Sequence, residues 1–116
     1  MALIAVGGIV VTQPLKRIEF SLYILPVLLQ ARRAHGNLHA EVTFRDDIHF
    51  SLTAWNSPAA MKRYAQSLPH RLAMARAPRL ADFSQFHHWH ADNAPDWTEA
   101  IDRWKQATGY GARKAA

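Results

Sequence analysis

The chain has 116 residues, 49% of them hydrophobic and 20% charged, with a formal charge of +5 at pH 7. Those values describe one folded domain and exclude a disordered polyelectrolyte. The lack of cysteine excludes disulfides, thiolate chemistry and Cys-type zinc sites, and the basic residues are too scattered for a nucleic-acid motif.

Leu3 to Thr12, rich in Val and Ile, predicts a first strand. Gly7 and Gly8 inside it predict a bulge or a close approach, not a phosphate loop, because neither GxGxxG nor GxxxxGK follows. Arg17 to Ala34 predicts a long helix kinked at Pro26 and stopped at Gly36. Ile18, Leu22, Leu25 and Leu29 keep helical spacing, yet Phe20, Tyr23, Ile24, Val27 and Leu28 make the helix apolar on more than one face. Such a helix needs cover on two sides, from its own sheet and from something else such as a partner subunit.

Asn37 to Arg45 and Ile48 to Trp55 predict two strands joined at Asp46-Asp47. Leu38, Ala40, Val42 and Phe44 alternate with His39, Glu41 and Thr43, and Ile48, Phe50, Leu52 and Ala54 alternate with His49, Ser51, Thr53 and Trp55. With matched alternation the two apolar sets would share one face and carry the helices, and the polar sets would face away. Ser57-Pro58 marks a helix start, and Met61, Tyr64, Ala65 and Leu68 form its apolar stripe. Ser67-Leu68-Pro69 should break that helix and start a second, with His70 in its first turn and Pro78 helping to end it. Phe83 to Ala91 predicts the fourth strand, and Trp97, Ile101 and Trp104 mark a last amphipathic helix stopped by Gly109.

The order β-α-β-β-α-β-α predicts an α+β, ferredoxin-like layer with a four-stranded antiparallel sheet over residues 1–109, and a loose tail over 110–116. A polar and aromatic second sheet face is expected to be buried against an identical sheet, which makes the chain a homodimer. No apolar run approaches the ~20 residues of a membrane span and no leader pattern is evident. A cytoplasmic protein without a membrane or nucleic-acid partner is expected.

The run FSLTAWNSPAAMKRYAQSLPHRLAM, with its Thr-x-Trp strand end, Asn-Ser-Pro helix start and His followed by Arg, resembles the core of the dimeric α/β-barrel superfamily. HGNLHAEVTFRDDIHF before it fits the same pattern. That superfamily includes antibiotic-biosynthesis monooxygenases and haem-degrading monooxygenases, and the nearest branch resembles spheroidene monooxygenase, a carotenoid-oxidising enzyme. The resemblance implies a dimeric α/β barrel and an oxygenase on a small apolar or aromatic molecule, cofactor-free or with haem. Haem-degrading members place an Asn near their haem, and the first strand here has none.

His70 is the candidate catalytic residue. At a helix N-terminus its ring should stay neutral, able to take a proton or to ligate haem iron. Packing or capping is the alternative role. Trp55, Trp89, Thr53 and Arg71 are the candidate pocket residues. His88 and His90 share a strand face and are the candidate metal ligands, within a wider set of His87, His39, His49 and Glu41, although no ligand-spacing motif supports a metal. The reading that competes with an enzyme is a non-catalytic small-molecule-binding or stress-related homodimer.

Overall fold

The computed structural model describes residues 1–110. Eight elements follow one another: β1 (Ala2–Val10), α1 (Pro14–Arg33), β2 (Asn37–Arg45), β3 (Ile48–Trp55), α2 (Pro58–Gln66), α3 (His70–Leu80), β4 (Phe83–Ala91) and α4 (Trp97–Thr108). The four strands form one antiparallel sheet in the order β2-β3-β1-β4, the ferredoxin-like arrangement expected from the element order. The tail expected from residue 110 lies, from residue 111 on, outside the described residues. Tyr110 itself packs on Phe83 and Trp104.

The β2–β3 hairpin corrects the expected alternation. Asp46 and Asp47 both have positive φ, 53° and 64°, and form a two-residue turn that pairs Arg45 with Ile48. Across such a turn each even-numbered residue of β2 faces an odd-numbered residue of β3. Phe44 therefore stands opposite His49, and Val42 opposite Ser51. The apolar side of β2 shares a face with the polar side of β3, and the matched faces expected from sequence do not form. Further along, a register shift between Asn37 and His39 leaves Leu38 59% exposed.

The layers are also arranged differently from the expectation. The apolar side of β3 packs with Ile4, Val6 and Val10 of β1 against Ala100, Ile101 and Trp104 of α4. Ile4, Val6, Leu52 and Trp104 are completely buried there. Gly8 permits this packing, since a Cβ on it would sit 2.3 Å from the Trp104 ring. The apolar side of β3 thus carries a helix, as expected, but that helix is α4. The polar side of β3 instead faces α1, α2 and α3.

The helix ends follow their sequence signals except at Pro78. The Ser57 hydroxyl accepts from the Ala60 N–H, the Asp96 carboxylate accepts from the Glu99 N–H, and Gly109 closes α4 at φ 67°. Pro26 leaves α1 a single element from Pro14 to Arg33. The carbonyl it deprives, that of Leu22, belongs to an exposed residue where water can replace the lost bond. Pro78 likewise sits on the exposed side of α3, which continues to Leu80 and closes with the Ala81 N–H on the Ala77 carbonyl.

Candidate active site: a cavity under three helices

The polar side of β3, facing inward, cannot fill the space beneath the helices. Ala5 and Gly7 on β1, with Ser51 and Thr53 on β3, give a floor of small side chains. Phe20, Val27 and Ala31 of α1 and Ala73 and Ala77 of α3 form much of the roof. Between them lies a cavity of about 460 Å³, within the ~300–1,000 Å³ of small-molecule sites. Val42, Phe44 and Phe86 in its wall remain 38%, 49% and 47% exposed, so the cavity is open to solvent.

His70 is in this wall, at the first position of α3. Its backbone N–H donates to Gln30 Oε1 at 2.9 Å, which ties the start of α3 to α1. Its Nδ1 lies 3.0 Å from the Ala65 carbonyl oxygen. A carbonyl only accepts, so Nδ1 carries the proton and Nε2 keeps a free lone pair. Burial lowers the His70 pKa below its ordinary value, while the Ala65 carbonyl pulls weakly the other way. The ring packs on Tyr64, with centroids 4.7 Å apart. The Tyr64 hydroxyl donates to the Val27 carbonyl at 3.5 Å, and burial pushes its pKa far up, so it stays protonated.

His49, on β3, is the wall's second half-buried imidazole. Its ring lies between Phe20 and Phe44, 4.7 Å from each. Burial, and secondarily the Arg17 guanidinium, lower its pKa, so it too is neutral. Its Nε2 is buried and, among the described residues, has no hydrogen-bond partner. An orphaned buried nitrogen beside a cavity is able to pair with a water or with a ligand's polar group.

Among the other residues singled out in the sequence, Thr53 and His88 belong to the wall, and His87 and Glu41 border it from strand positions whose parity turns them to the α4 side. Trp55 does not. It is fully buried with Leu3 and Ala60 behind the wall, stacked on Tyr64 at 4.9 Å. Trp55, Tyr64 and His70 thus form a continuous aromatic row, and Trp55 reaches the cavity only through its neighbours. Trp89 lies on the opposite sheet face, stacked on His87 and covered by Arg103 of α4. Arg71 projects from the exposed side of α3, and His90 is exposed beyond the cavity. The register of β4 against β1 accounts for Trp89, since odd-numbered residues of β4 pair with the even, α4-facing residues of β1.

The sheet also divides the histidines. His39, His87 and Glu41 fall on the α4 side, His39 bonding to Glu41 at 2.5 Å, whereas His49 and His88 fall on the cavity side. Among the described residues, no group of three or more His, Asp or Glu could hold a metal ion. Haem does not suit this donor set either. His70 Nε2 could face an iron, but among the described residues the wall contains no Lys or Arg to meet two propionates.

His49 was singled out from sequence only within the candidate metal set, and neither its place in the cavity wall nor the role of α1 as roof was read there. The signal was available in the two-residue turn, whose parity turns His49, Ser51 and Thr53 toward the same side as Val42 and Phe44.

No protein-family model matches the chain, and no curated protein matches it. Solved structures do. Rv0793 from Mycobacterium tuberculosis is 9% identical, with a TM-score of 0.74 over 83% of this chain and 100% of that one. An antibiotic biosynthesis monooxygenase is 8% identical, with a TM-score of 0.70 over 78% of this chain and 99% of that one. A variant of SnoaB from Streptomyces nogalater, a cofactor-independent oxygenase, is 13% identical, with a TM-score of 0.66 over 82% and 97%. At such identities the likeness is one of fold. The chain has the α+β fold of the antibiotic biosynthesis monooxygenase-like proteins, as the resemblance implied. The branch resembling spheroidene monooxygenase is not distinguished by these likenesses.

Proposed function

We propose that the chain is a cofactor-free oxygenase of the monooxygenase type, acting on a flat, apolar small molecule that bears an activated C–H group. One observation carries the proposal: a neutral imidazole, His70, with its proton held on Nδ1 by Ala65 and its Nε2 free, in the wall of an open apolar cavity. A base in a poorly hydrated cavity is all such chemistry asks of a protein, provided the substrate stabilises its own anion. The same fold serves a cofactor-independent oxygenase, SnoaB, which supports the reading.

The steps balance with dissolved O₂ as oxidant. His70 Nε2 takes a proton from a CH₂ flanked by unsaturated groups. The delocalised carbanion passes one electron to O₂, and the resulting radical pair combines to form a C–O bond. The peroxide anion recovers the proton from His70. Loss of the remaining C–H proton together with hydroxide breaks the O–O bond and leaves a carbonyl, so that R₂CH₂ and O₂ give R₂C=O and water. His49 Nε2 would meet a polar substituent of the substrate and fix which carbon lies near His70. Haem-assisted chemistry is not part of the proposal, because the wall does not suit haem. A homodimer, implied by the resemblance, is, and light scattering on the purified chain reports it.

The test is O₂ uptake by the purified chain with a panel of polycyclic phenols and ketones, alongside tryptophan-fluorescence titration of each. Uptake that vanishes in His70→Ala while binding persists supports the reading. Binding without uptake by the native chain overturns it in favour of a binding protein.

A further inference from the structure

The outer side of α1 carries Leu15, Ile18, Leu22, Leu25 and Leu29, exposed by 81%, 62%, 71%, 58% and 42%. Their spacing of three and four residues aligns them in one stripe, about 21 Å long at the helical rise. The opposite side of the same helix is consumed by the fold, since Phe20, Val27 and Ala31 are buried toward the sheet. The stripe is therefore not a core surface. Leu68 and Leu72, at the α2–α3 junction, add two more exposed leucines to the same helical layer, 61% and 42% exposed.

Charge decides what the stripe fits. The three helices of this layer hold nine of the chain's 14 basic residues, four on α1, two on α2 and three on α3. They hold one acid, Glu19, which is already paired with Arg79. The remaining eight acids lie elsewhere, four of them between Asp92 and Asp102 around α4. The modest net charge thus conceals a strongly basic helical layer and an acidic remainder. Two copies meeting through α1 would bring two basic layers together. An anionic lipid surface complements both features, with leucines entering the acyl boundary and Arg and Lys meeting the headgroups.

We propose that the outer face of α1 docks the protein on an anionic lipid surface. No helix of the described residues is long and apolar enough to cross a membrane, so the contact is peripheral. The inner side of α1 roofs the cavity, which places the site one helix thickness from the lipid, where an apolar substrate would be dissolved. The docking itself does not depend on the proposed reaction.

The experiment is sedimentation of the full chain with vesicles of phosphatidylcholine alone and of phosphatidylcholine mixed with phosphatidylglycerol. The native chain is expected to co-sediment with the mixed vesicles, less with the neutral ones, and less in about 0.5 M sodium chloride, where the screening length falls to roughly 4 Å. Both stripe positions are exposed, so the double variant Leu22→Ser, Leu25→Ser should keep its circular dichroism and lose at least about tenfold in partition. Absent binding, equal binding to both vesicle types, or binding unchanged in the double variant overturns the proposal. A dimer of the native chain that the double variant breaks, without vesicle binding, assigns the stripe to a second copy.

Discussion

The Nδ1 of His70 lies 3.0 Å from the carbonyl of Ala65, a residue in the helix before its own. The bond spans the turn between α2 and α3 and fixes which ring nitrogen is basic. Replacing His70 by Ala should therefore lower turnover by roughly 10²–10⁴ while changing substrate affinity little, the mark of a lost proton-transfer group. His70→Gln, which keeps a donor for Ala65 but supplies no base of comparable strength, should fare no better. If both variants lower affinity and turnover together, His70 shapes the cavity and another group is the base.

The same burial gives stability a pH dependence with a definite sign. His49 and His70 both have folded pKa values below the ordinary 6.5, while the unfolded chain titrates near that value. Over the window between them the unfolded state binds more protons, so stability is fully present above about pH 6.5 and declines as pH falls through it toward the lowered folded values. Urea midpoints measured from about pH 7.5 down to 5 should fall, and less steeply in a His49, His70 double Gln variant. The acid limb of kcat/KM should lie below the usual histidine range for the same reason. An equal slope in native and double variant would assign the acid sensitivity to other groups.

The two adjacent glycines of β1 should respond differently to alanine. A Cβ on Gly8 would lie 2.3 Å from the ring of Trp104, which is fully buried and held by its Nε1–H donating to the Gln85 carbonyl at 2.9 Å. Gly8→Ala should cost about 1–3 kcal/mol as overpacking, seen as a lower urea midpoint. A Cβ on Gly7 meets the Phe86 ring at 2.2 Å, but that ring is 47% exposed and can swing outward. Gly7→Ala should be the milder change in stability and the stronger one in ligand binding, because it raises the cavity floor. The opposite ranking would mean that Trp104 yields more readily than Phe86.

Much of the fold was legible because its signals are local. Ser57-Pro58, Asp96 and Gly109 mark helix ends by their own chemistry, and β2, β3 and β4 have the bounds that their alternation indicated. The side on which each strand faces the helices was not legible from alternation alone. That depended on the turn at Asp46-Asp47, where one residue more or less reverses the whole of β3 relative to β2. His49 was passed over as a pocket residue for that reason, whereas the side of Trp89 depended on the register of β4 against β1, which pairs it with Ile4. His70 was visible because a proline break fixes it to a helix start irrespective of the sheet.

That turn is also a place where the chain can be improved. Asp46 and Asp47 occupy the left-handed region at φ 53° and 64°, which favours Asn and Gly. Their ion pairs, with Lys105 at 4.0 Å and Arg17 at 3.8 Å, are exposed and contribute little. Asp46→Asn with Asp47→Gly should stabilise the hairpin by roughly 1 kcal/mol, or about 4 °C in Tm, without touching the cavity. A fall in Tm would show that the two ion pairs outweigh the backbone strain.

His49 offers a trade between stability and binding. Its Nε2 is buried without a partner between Phe20 and Phe44, and a desolvated nitrogen of that kind costs about 1–3 kcal/mol. Phe fits the same aromatic slot without that cost. His49→Phe should therefore raise Tm while weakening ligands that carry a hydroxyl or carbonyl, and should leave purely hydrocarbon ligands of the same shape bound as before. A group retained for packing would give no such split. If His49→Phe lowers Tm and leaves ligand preference unchanged, the nitrogen has a water as its partner and takes no part in recognition.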